Sequence, residues 1–591
     1  MSVLSLESLA TSARTSLTDQ VAVRLSSLLA SPDTDAHVRT SLTNAITGFG
    51  QDGVVERAAY SWFNRLTAAR FMDAHAYSGT YQVVTPPPGS NQPECLVQAR
   101  QGSFDYKIDP QVQSQVTDLL LAGKDRQAYV TLLTAYFQLW SKAMPAVFPH
   151  ANSWVNYLAP GDLLSATSVR LDIVQAMDQD ACKDVEVIGW LYQYYISQVK
   201  AEINDSKKKI TAKELAPVTQ LFTPHWIVRY LVENTVGKQW LRAHPSSPLR
   251  EQMEYLVPSA QGQEDAGLAI GDPTEFRIVD PACGSAHMLT YTFDLLWQMY
   301  VEAGYSSSKI ANLIFTHNLT GIEIDRRAVQ LASFALAMKA QEHDRRYLER
   351  SGVASPNIVH IRSVAIPPIS PEQYQRICDQ LAGSAEQLPS LKELNKLIDQ
   401  LGEASTFGSL IQPPAGAYEV LQQLTNVADP ALMGTDPDEL AAAATIVKAL
   451  HNSQYTAVVA NPPYLGSKHH SPLLKKFLGK KYTAHKADLI TCFMTRGRTL
   501  VQDAGAWGML TLNNWMFLSS FENSRKQLLN ENTISTFKCS AEAYVVSLWI
   551  FAFLRVSTRL PLKEQKYNSS ILQIVLKLPR TKCVPEDFSM R

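Results

Sequence analysis

The chain has 591 residues, of which 46% are apolar and 18% charged, and its formal net charge is −1. This length is too great for one hydrophobic core and predicts about three or four domains. The composition excludes a disordered chain, and the balanced charge confines any nucleic-acid surface to a local basic patch. Seven cysteines are scattered singly, which excludes a zinc ribbon or disulfide framework and indicates a reducing compartment.

Neither end of the chain carries a targeting or membrane signal that we recognise. The N-terminal residues lack a basic segment followed by a long apolar run, so we expect no signal peptide. The apolar stretch 545–556 contains Arg555 and is too short to span a bilayer. We therefore expect a cytoplasmic protein that does not bind a membrane.

The first third of the sequence has helical periodicity. Ala59, Phe63 and Leu66 recur at spacings of three and four residues, and further helices are predicted at about 111–142 and 186–201. The proline-rich stretch within 81–110 predicts an exposed loop. We expect a mainly helical domain over residues 1–205, and we favour a scaffold role over direct contact with a partner or DNA.

After a lysine-rich joint near 205–214, strands begin to alternate with helices. This pattern is typical of a doubly wound α/β sheet, which we place at 215–535. A polar, mostly helical insertion is predicted at about 367–450, with charged faces that we expect to be solvated. The strand candidates are residues 276–280, 319–324, 358–361, 455–460 and 508–512.

The first of these strands leads into a loop of small residues, Asp280-Pro-Ala-Cys-Gly-Ser-Ala286. Ligands of open α/β sheets bind at the carboxyl ends of strands, where Gly284 allows close backbone approach and the following helix offers its positive N-terminus. The loop matches neither the dinucleotide nor the P-loop pattern. Asp280 at the strand tip suits a cationic amino or sulfonium group, and we interpret Cys283 as a packing residue.

The second strand also ends in an acid, Glu323. Acids at this position of a Rossmann-type sheet bind ribose hydroxyls, so we expect Glu323 to accept two hydroxyl hydrogen bonds. Ile324 would lie against an adenine ring. Asp325 is predicted to cap the helix that begins at Arg326.

The fourth strand is followed by Asn461-Pro-Pro-Tyr464. The prolines stiffen this loop and donate no backbone N–H, so its carbonyl oxygens remain acceptors beside an aromatic face. Such a cluster can hold a planar amine, whereas the simpler interpretation is a strand followed by a proline-rich turn.

Taken in order, these segments resemble motifs of γ-type S-adenosylmethionine-dependent N6-adenine DNA methyltransferases. An upstream segment, Thr219-Gln-Leu-Phe-Thr-Pro-His, is similar to the family motif in which Thr223 and Pro224 meet the methionine end of the cofactor. The resemblance implies a Rossmann-like methyltransferase domain with S-adenosylmethionine as cofactor. It also implies that Asp280, Ala282 and Gly284 bind this cofactor together with Glu323 and Ile324.

Segments at 58–72, 187–197, 218–234 and 464–478 further resemble the PglX family, the adenine methyltransferases of BREX phage-defence systems. Membership implies host-DNA marking and cooperation with other phage-defence subunits. Ala286 stands where the family often has glycine. The resemblance covers about 55–530 and fades after about 532. We therefore expect residues 537–591 to be an unmatched tail, a truncated or frameshifted start of a target-recognition region.

The same resemblance implies a mechanism for the Asn461 motif. The Asn461 side-chain oxygen and the Pro462 carbonyl would accept the two N6 hydrogens of an adenine flipped out of duplex DNA. Tyr464 would stack on that base, and Pro463 completes the stiff motif. The sequence contains no Pro-Cys dipeptide, which argues against the cysteine-adduct chemistry of cytosine-C5 enzymes.

A basic run follows the motif and predicts contact with DNA phosphates. It contains Lys468, Lys475, Lys476, Lys480, Lys481 and Lys486, with no acid between 466 and 487. We expect His469, His470 and His485 to be surface residues, and we predict no metal site because no ligand spacing supports one.

Three alternatives stay open at this point. The chain is a defence subunit that binds cofactor and DNA but is inactive alone, or it methylates a glutamine amide of a protein. Transfer to cytosine N4 is a third possibility, although a serine at position 461 would be more usual for it.

Overall fold

The computed structural model describes residues 5–206, 210–211, 214, 223–258, 267–350, 352–381, 388–426, 436–540 and 548–555. The chain divides into two compact units, Met1–Ala201 with Gln330–Pro356, and Glu202–Val329 with Asn357–Arg591. Residues 219–222 of the motif before Thr223, half of the lysine-rich joint, and residues 541–547 and 556–591 of the predicted tail lie outside the described residues.

The first unit is helical, which agrees with its apolar periodicity. Its centre is α3, in which every residue from Ala58 to Asp73 is buried. The helices are α1 Leu6–Ala30, α2 Ala36–Phe49, α3 Gln51–Ala74, α4 Glu94–Arg100, α5 Pro110–Leu121, α6 Asp125–Ser141, α7 Trp154–Tyr157, α8 Val169–Ala176 and α9 Glu186–Ser206.

The segment predicted as an exposed loop at 81–110 is anchored in this unit instead. The buried carboxylate of Asp73 accepts hydrogen bonds from the backbone N–H groups of Val83, Val84 and Thr85. The buried guanidinium of Arg170 donates to the Val84 carbonyl at 2.6 Å. These contacts hold the start of the segment inside, and its second part folds as α4, so the prediction of an exposed loop was wrong there.

The second unit contains a seven-stranded sheet in the order β3-β2-β1-β4-β5-β7-β6. Among the described strands, β7 runs antiparallel to both of its neighbours, β5 and β6, and the other adjacent pairs are parallel. The strands are β1 Ile278–Asp280, β2 Leu319–Glu323, β3 Ile358–His360, β4 Tyr455–Ala460, β5 Val501–Leu512, β6 Asn532–Ser540 and β7 Leu548–Arg555.

The strand order reverses direction between β1 and β4. These strands are parallel neighbours, with Ile278 beside Ala457 and Val279 beside Val458. A reversal of this kind opens a crevice at the carboxyl ends of the strands, where doubly wound folds bind ligands. The predicted α/β class with a Rossmann-like sheet is confirmed.

Helices surround this sheet and fill the predicted insertion. Two short π-helical stretches, Glu233–Gly237 and Ile314–Asn318, continue helices of this unit. The helices are α10 His225–Val232, α11 Lys238–Ala243, α12 Leu249–Gln252, α13 His287–Glu302, α14 Ser307–Leu313, α16 Pro371–Leu381, α17 Leu391–Gly402, α18 Ala404–Phe407, α19 Ala417–Asn426, α20 Pro437–Ala449, α21 Pro472–Lys481, α22 Leu489–Leu500, α23 Asn514–Phe517 and α24 Glu522–Glu531. A further helix, α15 Arg326–His343, begins in this unit and belongs to the first unit from Gln330 onwards.

The sheet extends beyond the boundary that the sequence suggests. Strand β7 lies between β5 and β6, where Met509 pairs with Phe551 and Phe537 pairs with Phe551 on its other edge. A strand that is paired on both edges is an integral part of the sheet. The sheet thus continues beyond the expected domain limit at residue 535 as far as Arg555, whereas the expectation that residues 537–591 are an unmatched tail stays a prediction. Within the described ranges, no helix is both long and apolar enough to cross a bilayer.

Candidate functional site

The loop after β1 is held by its own strand-tip acid. The Ala282 backbone N–H donates to Asp280 Oδ1 at 3.0 Å, and the Asp280 side chain is almost completely buried. Burial is the main reason that the pKa of Asp280 rises to about 8. A buried carboxyl with this pKa gains a full negative charge when a cation binds beside it, which is the chemistry expected of Asp280.

The same loop turns into α13 through Ala286, which has φ 73° and ψ 26°. This left-handed conformation is costly for a residue with a Cβ and is the natural place for glycine. The position where alanine replaces the usual glycine of the resembling family is therefore a position of backbone strain. Gly284, with φ 52°, is also left-handed, and a Cβ built there meets no atom within 4 Å.

Glu323 at the end of β2 binds the loop after β1 directly, through a hydrogen bond from Gly284. The Gly284 N–H donates to Glu323 Oε2 at 2.9 Å, while the Ile324 and Asp325 N–H groups donate to Oε1 at 2.8 Å. A carboxylate offers about four acceptor positions, so these three donors leave room for about one more. The expectation of two hydroxyl bonds therefore requires that one backbone donor be displaced. Burial raises the pKa of Glu323 to about 7.

Hydrogen bonds fix the two residues that follow Glu323, namely Ile324 and Asp325. Asp325 Oδ1 accepts from the Arg327 N–H at 2.9 Å, which confirms the predicted cap of α15. His360 Nε2 lies 3.2 Å from the Ile324 carbonyl oxygen, and burial lowers the pKa of His360 to about 4. A neutral imidazole thus holds the backbone of Ile324, whose side chain is partly exposed.

Asn461, directly after β4, lies between two hydrogen-bonding side chains. Its amide nitrogen donates to Thr223 Oγ1 at 3.0 Å, and its oxygen Oδ1 accepts from the Tyr464 hydroxyl at 2.7 Å. The Tyr464 hydroxyl also lies 3.1 Å from the Leu510 carbonyl oxygen on β5. Burial raises the pKa of Tyr464, so the hydroxyl remains a donor. Thr223 therefore contacts the motif itself, a role that the sequence did not suggest.

The remaining motif residues behave as a stiff support. Pro462 is buried and Pro463 partly so, while Pro224 is exposed and precedes α10 as its N-cap. Asp488 Oδ1 accepts from the Leu465 N–H at 3.1 Å and holds the chain as it leaves the motif. Asp488 is a positioning residue that sequence reasoning missed, although its place before α22 as an N-cap was readable.

The basic run forms an exposed surface around α21. Its six lysines are all exposed: Lys468, Lys475, Lys476, Lys480, Lys481 and Lys486. Burial and the nearby Lys396 lower the pKa of Lys481. Contact of this surface with phosphates stays a prediction.

The histidines beside the run were predicted to be surface residues, and for two of them this was wrong. His470 and His485 are buried, whereas His469 is exposed. His470 Nε2 lies 2.9 Å from the Leu465 carbonyl oxygen, and His485 Nδ1 lies 2.6 Å from Ser524 Oγ. They pack as hydrogen-bonded core residues, since each finds a polar partner. In the described part of the chain, no group of three or more His, Cys, Asp or Glu side chains is placed to hold a metal ion.

The donor set at the sheet edge fits S-adenosylmethionine. Two buried carboxyls, Asp280 and Glu323, flank a loop of small residues, and the raised pKa of each favours an incoming cation or hydroxyl donor. The partly exposed Ile324 side chain supplies an apolar surface next to Glu323. These residues and Asn461 all follow strands β1, β2 and β4, whose carboxyl ends lie at one edge of the sheet.

Comparison with known proteins agrees with this geometry. Residues 317–541 match the family model described as Eco57I restriction-modification methylase. The chain is 33% identical over 518 residues to the adenine-specific methyltransferase BrxX of Escherichia coli O9:H4 (strain HS). The chain is a homologue of this adenine-specific methyltransferase.

A second homologue is the adenine-specific methyltransferase PglX of Lacticaseibacillus casei (strain Zhang), at 32% identity over 508 residues. The alignments cover 82% and 80% of this chain but only 42% and 41% of the two relatives. The chain thus spans less than half of the length of the homologues it matches.

The chain was also compared with solved structures. The ATP-dependent type ISP restriction-modification enzyme LlaBIII bound to DNA has a TM-score of 0.39 and 12% identity, covering 94% of this chain and 29% of that chain.

Proposed function

We propose that this chain transfers a methyl group from S-adenosylmethionine to N6 of adenine in DNA, as part of phage defence. The observation that carries the proposal is the position of Asn461. It follows β4 at the point where the strand order reverses, next to the loop that Asp280 begins on β1. A group that binds the acceptor amine and a loop suited to the cofactor therefore share one crevice.

The cofactor would be held by residues of three strand ends. Asp280, Ala282 and Gly284 form the loop, Glu323 receives a ribose hydroxyl and Ile324 faces the adenine, while Thr223 and Pro224 lie on the methionine side. S-adenosylmethionine supplies an activated methyl group on a sulfonium. The protein's own contribution is to bring the acceptor amine into line with it, and positioning of this kind contributes up to roughly 7–11 kcal/mol.

Asn461 would orient the target amine through two acceptors. Its Oδ1 and the Pro462 carbonyl receive the two N6 hydrogens, which draws the nitrogen lone pair out of conjugation with the ring. The Tyr464 hydroxyl has a single proton and two acceptors within 3.1 Å, Asn461 Oδ1 and the Leu510 carbonyl. Asn461 Oδ1 has two lone pairs, so it can accept the N6 hydrogen while it keeps the bond from Tyr464.

DNA would approach over the exposed lysines that follow the motif. Extrusion of a base costs a few kcal/mol, and stacking on an aromatic ring returns about 1–3 kcal/mol of it. The family resemblance also implies that the chain works with other subunits of a phage-defence system, and we include such partners in the proposal. A subunit that binds cofactor and DNA but is inactive alone is the second candidate, because the chain spans less than half of its homologues' length.

Labelled S-adenosylmethionine tests the proposal and its competitors together. The chain is incubated with duplex DNA that contains every short sequence, with a cell extract added in a second arm. Label in DNA supports the proposal, and label in DNA only with the extract supports the second candidate. Label in protein alone would show protein methylation, as the glutamine alternative requires, and overturn the proposal.

A further inference from the structure

A short segment of the insertion, residues 404–412, lies against the candidate cofactor site; we refer to it as the strap. It contains α18 and a 3₁₀ turn, Gly408–Leu410. Every residue from Phe407 to Ile411 is buried. The segment has no charged residue, so the expectation that the charged faces of the insertion are solvated does not concern it.

The strap binds the cofactor loop through one side chain. The hydroxyl of Ser409, which is 3% exposed, donates a hydrogen bond to the Pro281 carbonyl oxygen. Pro281 lies between Asp280 and Ala282, the two residues that begin the loop. Because Pro281 has no N–H to anchor it, this bond to its carbonyl is a direct restraint on the loop's path.

The strap also contacts the residue expected to face the adenine. Gly408 has φ 53°, and a Cβ built on it would lie 3.3 Å from Ile324 Cγ2. Only glycine combines this conformation with such a close approach. The backbone of Gly408 therefore backs the Ile324 side chain.

Two contacts fix the strap from its other side. Arg496 is fully buried, and its Nε donates to the Ser409 carbonyl at 2.7 Å. Phe407 stacks on Phe477 of α21 with ring centroids 4.1 Å apart and an interplanar angle of 11°. The Ser409 carbonyl thus accepts a hydrogen bond from Arg496, and the Ser409 hydroxyl donates one to the Pro281 carbonyl. These two bonds leave Ser409 little freedom to move.

We propose that the strap is part of the cofactor site, with Ser409 and Gly408 as positioning residues. Ser409 fixes the position of the loop that Asp280 begins, and Gly408 fixes the position of the Ile324 side chain. The insertion therefore sets the position of this loop relative to Ile324. This inference rests on the proposed function, since it assumes that the site binds S-adenosylmethionine or its product.

Calorimetric titration of the full chain with S-adenosylhomocysteine tests the inference. We expect Ser409→Ala to weaken binding by about three- to tenfold, the range for removal of one hydrogen bond. Ser355→Ala is the matched control, because the Ser355 hydroxyl also donates to a backbone carbonyl, that of Lys142 at 3.1 Å, but lies outside the strap. It should change the affinity by less than about twofold, as expected for a bond away from the site. Urea unfolding of the ligand-free variants separates a loss of affinity from a loss of stability.

Hydrogen exchange of the unsubstituted chain keeps the inference testable if Ser409→Ala does not fold. Addition of S-adenosylhomocysteine should slow exchange in the strap and leave α20 unchanged. Equal affinities of Ser409→Ala and the unsubstituted chain, or unchanged exchange in the strap of the ligand-bound chain, would overturn the inference alone. Failure of the unsubstituted chain to bind would overturn the proposed cofactor as well.

Discussion

The Tyr464 hydroxyl donates to Asn461 Oδ1 at 2.7 Å, so the aromatic residue of the motif orients its amide. This contact gives Tyr464 a second task besides stacking on a base. The two tasks separate in Tyr464→Phe, which keeps the ring and removes the hydroxyl. We expect about a tenfold lower rate of methyl transfer, the effect of about 1.4 kcal/mol, with unchanged affinity for S-adenosylhomocysteine.

Tyr455→Phe is the matched control for this change. Tyr455 is the first residue of β4, the strand that Asn461 follows, and it lies far from the carboxyl end of that strand. Its buried hydroxyl donates to the Ala449 carbonyl at 2.8 Å. Its removal should lower the free energy of unfolding by about 1 kcal/mol without slowing transfer. Equal rate losses in the two variants, measured by single-turnover kinetics, would contradict the role of the Tyr464 hydroxyl.

Glu323→Gln should weaken the cofactor site more than it weakens the fold. The glutamine side chain has one acceptor oxygen where glutamate has two. Its NH₂ group would face N–H donors at the place where the Gly284, Ile324 and Asp325 N–H groups now converge. Loss of hydrogen bonds to a charged group costs about 1.5–3 kcal/mol, so we expect S-adenosylhomocysteine to bind at least tenfold more weakly. Calorimetry measures this, and Glu439→Gln, a variant of a carboxylate in the insertion, serves as the control. An unchanged dissociation constant would show that Glu323 does not bind the ligand.

Ala286→Gly should stabilise the protein. Relief of the left-handed strain at φ 73° is expected to raise the free energy of unfolding by about 1 kcal/mol. Ala441→Gly provides the opposite control, since Ala441 is exposed within α20 and glycine there costs about 1 kcal/mol. Urea unfolding of both variants decides the matter; destabilisation by Ala286→Gly would show that the Cβ contributes packing that outweighs the strain.

Affinity for S-adenosylhomocysteine should rise with pH. Burial raises the pKa of Asp280 to about 8 and that of Glu323 to about 7, so both carboxyls are partly protonated at neutral pH. The ligand's ammonium favours ionised Asp280 and its ribose hydroxyl favours ionised Glu323, so binding releases protons. Between about pH 5.5 and 7.5, where the ammonium stays charged, each proton released gives up to about a tenfold gain in affinity per pH unit.

The same two carboxyls make the stability of the ligand-free fold change with pH in the opposite direction to the affinity. Both pKa values lie above those of the unfolded chain, so the two carboxyls favour the ligand-free folded state less as the pH rises through about 7 and 8. Asp280→Asn should remove part of both dependences. An affinity that falls with pH over the same range would contradict the proposed charge pairing.

The lysines of α21 should give DNA binding its salt dependence. Replacement of Lys475 and Lys476 with alanine lowers the slope of log affinity against log salt by about 0.9 for each phosphate that is no longer neutralised. Lys124→Ala, a change of an exposed lysine in the helical unit, is the control. Fluorescence anisotropy with a short duplex between about 50 and 200 mM salt measures the slopes. An unaltered slope in the double variant would place the phosphates elsewhere.

The sequence predicted the strand ends well because the change from apolar to polar residues along the chain marks the end of each buried strand. The fourth strand was predicted at its observed bounds, Tyr455–Ala460, and the acids Asp280 and Glu323 do end β1 and β2. A buried parallel strand reads as a short apolar run, and polar residues at its end stand out.

Contacts between distant segments could not be predicted in this way. Asn461 and Thr223 meet across 238 positions, and Ser409 reaches Pro281 across 128. No local pattern marks such pairs. Strand β7 was missed for a different reason: an apolar run after the last recognised motif carries no sign of its pairing partners.

Burial of the histidines also depends on tertiary partners. His485 is buried because Ser524 and Gln527 of α24 accept or donate beside its ring nitrogens. Neither residue is close to it in sequence, so composition favoured a surface position.

Analysis of methylated nucleosides by mass spectrometry tests the central claim most directly. Duplex DNA is incubated with S-adenosylmethionine and either the unsubstituted chain or Asn461→Ala, with the extract that supports activity where one is needed, and is then digested. The account predicts N6-methyladenine with the unsubstituted chain and at least about a hundredfold less with Asn461→Ala, the effect of about 2.7 kcal/mol in the transition state. Methylation of cytosine, or equal N6-methyladenine from both proteins, would contradict it.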